Sequence, residues 1–547
     1  MILARRVGAT GAILEPATSA EVLLAKAGRL ARSQRALLAF LLVLGAVPLL
    51  WPAVPPLTDL PNHMSRYRIG LDYATSPYFR QWFDFHWVLV GNLGVDLLAA
   101  GLAPLMGLEH ATKLVVIAIP VLTIAGLCLI AREVHGRLSP LIGFAAAFAY
   151  NWPLNFGFVN YALASALALI AFGFWLRLGR LGRPRLRAAL FVPIGFLVWL
   201  AHAAGWGMLG VLVFTWEIAD ARRQGVRWAD AGTRAFVACL PLALPLLPMI
   251  GWSNALPHGS LGRFDLRPGR KLAILLLALR NGNPTLDMAS ALLALIAATV
   301  AIARPDLRYD RRLTFVAAAM LLVLIVMPAD LMGSGHADVR VGPYVAMLFL
   351  VALRPGAETS FTRALGAAAL LFFAGRIAAH TIRYAGIGQA QEAQLEALDH
   401  LPTGARVFAF AGVTCPADME GDRMDHVNRM AIVRRQAFTN GTWPYPASQT
   451  LIVHPAMVAG YADESSQLLQ PIDCRRGARH TVPGALAALP PGRFQYFWML
   501  DVPKRLWPTR SWLQPVWHGE RGILYRILTP AEARSPDRNR VIARRLA

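Results

Sequence analysis

The feature that most constrains this chain is a series of apolar runs without ionisable side chains. Residues 36–53, 114–131 and 315–327 contain no Asp, Glu, Lys or Arg. A helix crosses a hydrocarbon layer with roughly 20 predominantly apolar residues. In that layer every backbone N–H and C=O must be satisfied internally, so runs of this kind read as spanning helices. Composition agrees: 56% of residues are hydrophobic and 16% charged, with a mean hydropathy of +0.45. Soluble domains carry about 25% charged residues. About eleven spans are predicted, at 36–53, 112–131, 138–152, 160–177, 188–203, 205–219, 235–251, 286–303, 313–328, 341–354 and 364–383.

The formal charge of +22 comes from Arg residues clustered between apolar runs, as from Arg177 to Arg187. No separate basic domain with interleaved aromatics exists, which argues against nucleic-acid binding. The clusters follow the positive-inside bias instead. With residues 1–35 as a cytoplasmic tail, that tail and the cytoplasmic loops hold 23 Lys or Arg, against 9 in the translocated loops. The chain therefore reads as a multi-pass bacterial inner-membrane protein with a transmembrane domain over 36–383 and large external loops at 54–110 and 252–285. Within the first loop, residues 88–106 carry Asn92, Asp96 and several Gly and Pro, which suits an interfacial helix. The second contains a short apolar helix over 271–279. Beyond 383 the runs become short and mixed, which predicts a soluble periplasmic α/β domain over 384–547.

No Cys spacing suggests a metal site, and no phosphate-binding P-loop, serine elbow or HExxH helix is present. Cys128 and Cys239 lie in apolar spans. Cys415 and Cys474 lie outside them and are expected to form a periplasmic disulfide, with two independent buried thiols as the alternative.

The stretch PPLTDLPNHMSRYRIG follows the first span directly. Asp59, His63 and Arg66 are spaced so that a helix puts them on one face. Ionisable groups at that depth cost several kcal/mol unless solvated or paired. They read either as a functional cluster or as a hydrated loop with an Asp–Arg salt bridge and a helix cap. Other external candidates are Arg340 in GSGHADVR, which alternatively pairs with Asp338, and Arg263, Arg267, Arg270 and Lys271 in the second loop, which alternatively contact lipid headgroups. His202, His258 and His336 fall in outer turns. Trp82, Trp87, Trp152, Trp206 and Trp252 read as interfacial anchors.

This layout resembles the GT-C superfamily of membrane glycosyltransferases, which includes protein O-mannosyltransferases and aminoarabinose transferases. Its marks are an acidic residue just after the first span, here Asp59, then interfacial helices, here 88–106, and eleven to thirteen spans with a C-terminal soluble domain. NFGFVNYALASALAL, residues 155–169, also looks like the external mouth of the fourth span in bacterial members. Many relatives carry two adjacent acidic residues where Asp59 stands alone, which leaves a divalent metal open; no other cofactor is implied. The resemblance implies a polyprenyl-phosphate sugar donor and a glycan, lipid or protein acceptor at the periplasmic face. It makes Asp59 the base for the acceptor hydroxyl. His63, Arg66, His202, Arg263, Arg267, Lys271, His336 and Arg340 are then expected to bind substrate, the cations at phosphate. The rival reading is a transporter or flippase of lipid-linked precursors. Transporters tend to show repeats and midplane charges. No repeat is visible here, and the charges gather at the outer interface.

Overall fold

The computed structural model describes residues 19–253, 262–331, 335–413, 423–442, 450–454, 467–469, 481–490 and 492–534. Cys415, Cys474 and His258 lie outside these residues. The chain divides into a helical domain and a C-terminal domain built on a mixed sheet. Among the described residues five helices are long and apolar enough to cross a membrane: Leu108–His135, Val159–Arg180, Pro184–Ala201, Pro284–Ala303 and the helix beginning at Ser360. Their outward faces are apolar, with Leu197, Leu371, Ile382 and Ile302 more than half exposed. A patch of such side chains is stable only against lipid or another apolar partner.

Ten of the eleven predicted spans coincide with helices, although 235–251 is divided at its prolines into Trp228–Cys239, a 3-10 turn and Leu246–Ser253. The exception is 138–152. It forms only a short helix, Ile142–Ala146, and a 3-10 turn, Ala147–Ala149, before a further helix at Trp152–Phe156. Residues 141–155 are all buried. A broken backbone is tolerated at membrane depth when protein rather than lipid surrounds it. Gly143 permits the close contact: a Cβ there would stand 2.5 Å from the Ala369 carbonyl oxygen.

The helix expected at the interface in residues 88–106 runs Gly94–Met106, and the short apolar helix expected over 271–279 runs Pro268–Leu276, about three residues earlier. The last long helix, Ser360–Leu395, continues twelve residues past the expected boundary at 383 and leads into the sheet. The sheet runs Leu513–His518, Ile523–Ile527, Tyr496–Leu500, Arg406–Gly412, Phe438–Thr439, with Leu468–Leu469 also on Arg406–Gly412. Its middle pair, Tyr496–Leu500 and Arg406–Gly412, is parallel, and Ile523–Ile527 is antiparallel to it. Phe408, Phe410, Phe438, Phe494 and Phe497 fill one face. The loop after the first predicted span joins this domain directly, because Phe83–Phe85 pairs with Leu451–Val453.

Inside the helical domain Arg376 holds Asp287 at 2.9 Å, both almost fully buried. Asp287 also accepts from the backbone of Asn281 and Gly282 at 2.7 and 3.1 Å. Breaking such a pair strands a charge. Asp287→Ala is expected to cost about 3–5 kcal/mol, read as lower thermal stability in detergent. Glu358→Ala, which breaks an exposed pair with Arg137, should cost less than about 1 kcal/mol.

Candidate active site around Asp59

Asp59 sits at the N-cap of helix Leu60–Asp72, whose start is set by Pro61. Aspartate at that position ordinarily accepts from the first-turn backbone N–H groups. Here the side chain makes no cap bond. Oδ1 lies 3.3 Å from Nε2 of His426, and Oδ2 is buried without a hydrogen-bond partner among the described residues. The carboxylate is 2% exposed. Burial pushes its pKa above the ordinary carboxylate range and the charge of Asp425 adds to that push, opposed by the hydrogen bond and charge of His426 and by the charge of Arg340. Asp425 Oδ2 lies 3.8 Å from the same His426 nitrogen.

The backbone of Asp59 is fixed by the mouth of the following spans. Its N–H donates to the Phe156 carbonyl at 2.9 Å. Asn151 caps helix Trp152–Phe156 with its side chain, Pro153 opens it, and Gly157 closes it at φ 101°. That succession follows ordinary capping preferences. Gly157 meets both demands of its position, since a Cβ there would come 2.7 Å from the Asp59 nitrogen.

Arg340, on helix Ala337–Ala352, lies over the rings of Phe158 at 4.3 Å and Tyr161 at 5.7 Å. Tyr161 donates its hydroxyl to the Arg340 carbonyl at 2.5 Å. Around this pair stand three of the expected histidines. His202 packs edge-on to Tyr161 at 5.6 Å, and His336 lies against Phe156, Phe158 and Trp152. His336 holds a left-handed backbone, φ 58°, an uncommon state for a non-glycine residue. His63, one turn after Asp59, is buried; burial first, then the charges of Arg66, His426 and His202, holds its imidazole well below its usual range.

The structure thus gathers Asp59, His63, His202, His336 and Arg340, while other expected residues are engaged elsewhere. Arg66 pairs with Asp96 rather than Asp59, with contacts at 2.7 to 3.0 Å. Asp96 also accepts from Asn160 at 2.8 Å, so this pair ties the first-loop helices to Val159–Arg180. Arg263 holds Asp330 at 2.7 Å and Arg267 holds Asp265 at 2.7 Å, both arginines exposed. Lys271 is buried against Asp338 at 2.9 Å and the Met327 carbonyl at 2.7 Å, and Arg270 grips the same Asp338. Asp338 is therefore occupied by residues of the second loop rather than by Arg340. Trp82 and Trp152 are buried, whereas Trp87 is 53% exposed as an anchor would be. The residues missed by the sequence are Asp425 and His426, which carry no motif and lie 366 and 367 positions beyond Asp59. No group of three or more His, Cys, Asp or Glu placed to hold a metal ion occurs among the described residues.

No protein-family model matches the chain, and no curated protein does. Among solved structures it is similar to ArnT from Cupriavidus metallidurans in the apo state, at 13% identity, covering 90% of this chain and 98% of that one, with a TM-score of 0.43. It is likewise similar to that ArnT bound to undecaprenyl phosphate, at 14% identity, covering 89% and 96%, with a TM-score of 0.42.

Gly157→Ala is expected to lower stability by roughly 1–3 kcal/mol, from the positive φ plus the clash with Asp59. Gly182→Ala, at φ 63° with open space around it, should cost only the backbone part, about 1–2 kcal/mol. Thermal unfolding of the two variants side by side separates the terms.

Proposed function

We propose that this chain is a membrane glycosyltransferase that moves a sugar from a polyprenyl-phosphate donor to a lipid, glycan or protein acceptor at the periplasmic face of the inner membrane. The observation that carries the reading is Asp59. A buried carboxylate forgoes the cap bond offered by its own helix, keeps one oxygen without a partner among the described residues, and lies within the field of Arg340. The layout resemblance of the sequence to GT-C enzymes points to the same residue.

Transfer joins the acceptor oxygen to the donor's anomeric carbon and breaks that carbon's bond to phosphate. The acceptor proton passes to Asp59, and the bonding pair leaves with the phosphate. A base works best when its pKa approaches the working pH, and burial moves Asp59 in that direction. The departing phosphate gains charge that fixed donors stabilise, usually the largest single contribution to such a barrier. Arg340 supplies a planar guanidinium from a platform of Phe158 and Tyr161. His202 and His336, beside those rings, then face the sugar.

The product is identified by mass spectrometry of envelope glycolipids and glycans in a deletion strain. Asp59→Asn should abolish that product, about 10²-fold or more in rate for loss of a base, with normal amounts of protein in the membrane. Near-normal product would remove Asp59 from the chemistry. Arg340→Ala should slow transfer at limiting donor and Arg340→Lys should recover only part, because Lys lacks the planar fork; full activity of both would make Arg340 structural.

The pH dependence has a definite sign. Asp59 must be ionised to accept a proton, and its pKa is raised. Rate should therefore fall on acidification, beginning at a higher pH than an ordinary carboxylate near 3.9 would give. An acid limb at or below that ordinary value would contradict the assignment.

A further inference from the structure

We propose that the C-terminal domain completes this site, and that His426 is a positioning residue whose Nε2–H holds Oδ1 of Asp59 and leaves Oδ2 as the oxygen that takes the proton. The proposal rests on the reading of Asp59 as the base. It is carried by contacts that deliver His426 to one point. His426 is buried, 4% exposed, in the turn that leads through the 3-10 turn Val427–Arg429 into helix Met430–Arg435. This segment packs along the Asp59 helix, Leu60–Asp72, and is fastened at both ends. At one end Arg423 donates to the Pro56 carbonyl at 2.9 Å and also to the Asn155 carbonyl. At the other, Gln436 accepts from Ser76 at 2.9 Å and donates to Asp72 at 3.3 Å. Between them Arg434 forms a two-pronged pair with Glu109, both contacts at 2.9 Å. The turn itself is held by Arg429, fully buried, which donates to the Asp425 carbonyl at 3.3 Å.

These fastenings reach three separate parts of the helical domain: the loop after the first span, the mouth of the fourth and the start of the second. A packing contact alone needs no imidazole at its centre. A histidine with Nε2 turned to a carboxylate 3.3 Å away fixes that carboxylate's rotation, as an orienting partner fixes a catalytic base. The groups facing Asp59 are His426 and Asp425 from the C-terminal domain and Arg340 from Ala337–Ala352; His63 lies on its own helix and faces His426, His202 and Arg66.

The test needs no substrate. Dicyclohexylcarbodiimide, which dissolves in membranes and reacts with protonated carboxyls, is applied to the full chain in native membranes across pH, and labelling of the Asp59 peptide is read by mass spectrometry. Loss of the hydrogen bond favours the protonated form. In His426→Phe the onset of labelling should move up by about one pH unit, the equivalent of one such bond. His426→Gln keeps an amide donor and should stay near wild type. Asp425→Asn removes a like charge and should move the onset down. If His426→Phe does not reach the membrane, His426→Asn, too short to reach Asp59, should show the same upward move. An unchanged onset in the variant without the donor overturns the proposal, as does a Gln variant that behaves like Phe. Persistence of the glycosylated product in Asp59→Asn cells would overturn the reading of Asp59 as the base and leave the His426–Asp59 pairing standing.

Discussion

A carboxylate taken out of water needs a donor or a counter-charge, and at Asp59 that need organises the surrounding structure. Its own helix offers backbone donors, and it does not use them. The partner comes instead from a domain more than 360 residues later. Burial of a charge is costly unless it is paired and hydrogen-bonded. The contact with His426 therefore makes sense only where the C-terminal domain is docked. The Arg423, Arg434 and Gln436 fastenings, weak individually if exposed, gain from acting together and from their part-buried positions.

The cations sort by the same logic. Of the candidate phosphate-binding cations, four are engaged by carboxylates: Arg263 by Asp330, Arg267 by Asp265, and Arg270 and Lys271 by Asp338. The two pairs with Asp338 close this loop onto the start of helix Ala337–Ala352. With Asp338 taken, Arg340 turns toward aromatic faces instead. The loop pairs thus shape the site without belonging to it.

The chain's class and the ground around Asp59 were legible in the sequence for a physical reason. Apolar runs and Arg clusters are one-dimensional signals, and so is an Asp behind a PPLT turn at the end of a span. The stretch from Asn155, NFGFVNYALASALAL, is likewise a local signal, and its Gly157 lies against Asp59. Pairing is not local. Arg66 stands seven residues from Asp59 yet takes Asp96 thirty residues away, because Asp96 on the interfacial helix arrives at the same depth with Asn160 beside it. His426 could not be found at all: a single histidine in a mixed polar segment has no periodicity, and only the docking of Met430–Arg435 along Leu60–Asp72 gives it a role. The span at 138–152 misled for the converse reason. Its composition is apolar, but burial inside protein, rather than exposure to lipid, is what composition there records.

That broken segment has a consequence for the site. A continuous helix from 138 onward would satisfy its own carbonyls and offer none sideways. Because the helix that follows it, Trp152–Phe156, ends at Gly157, the Phe156 carbonyl accepts from Asp59, and the Asn155 carbonyl accepts from Arg423. The Asn155 side chain spends its remaining capacity on Tyr384 and on the Arg280 carbonyl, the latter at 2.8 Å. One irregular turn therefore joins the Asp59 loop, the C-terminal domain and the last long helix. Backbone groups freed inside a membrane domain must find partners, and here those partners are the segments that carry the candidate base and the histidine that holds it.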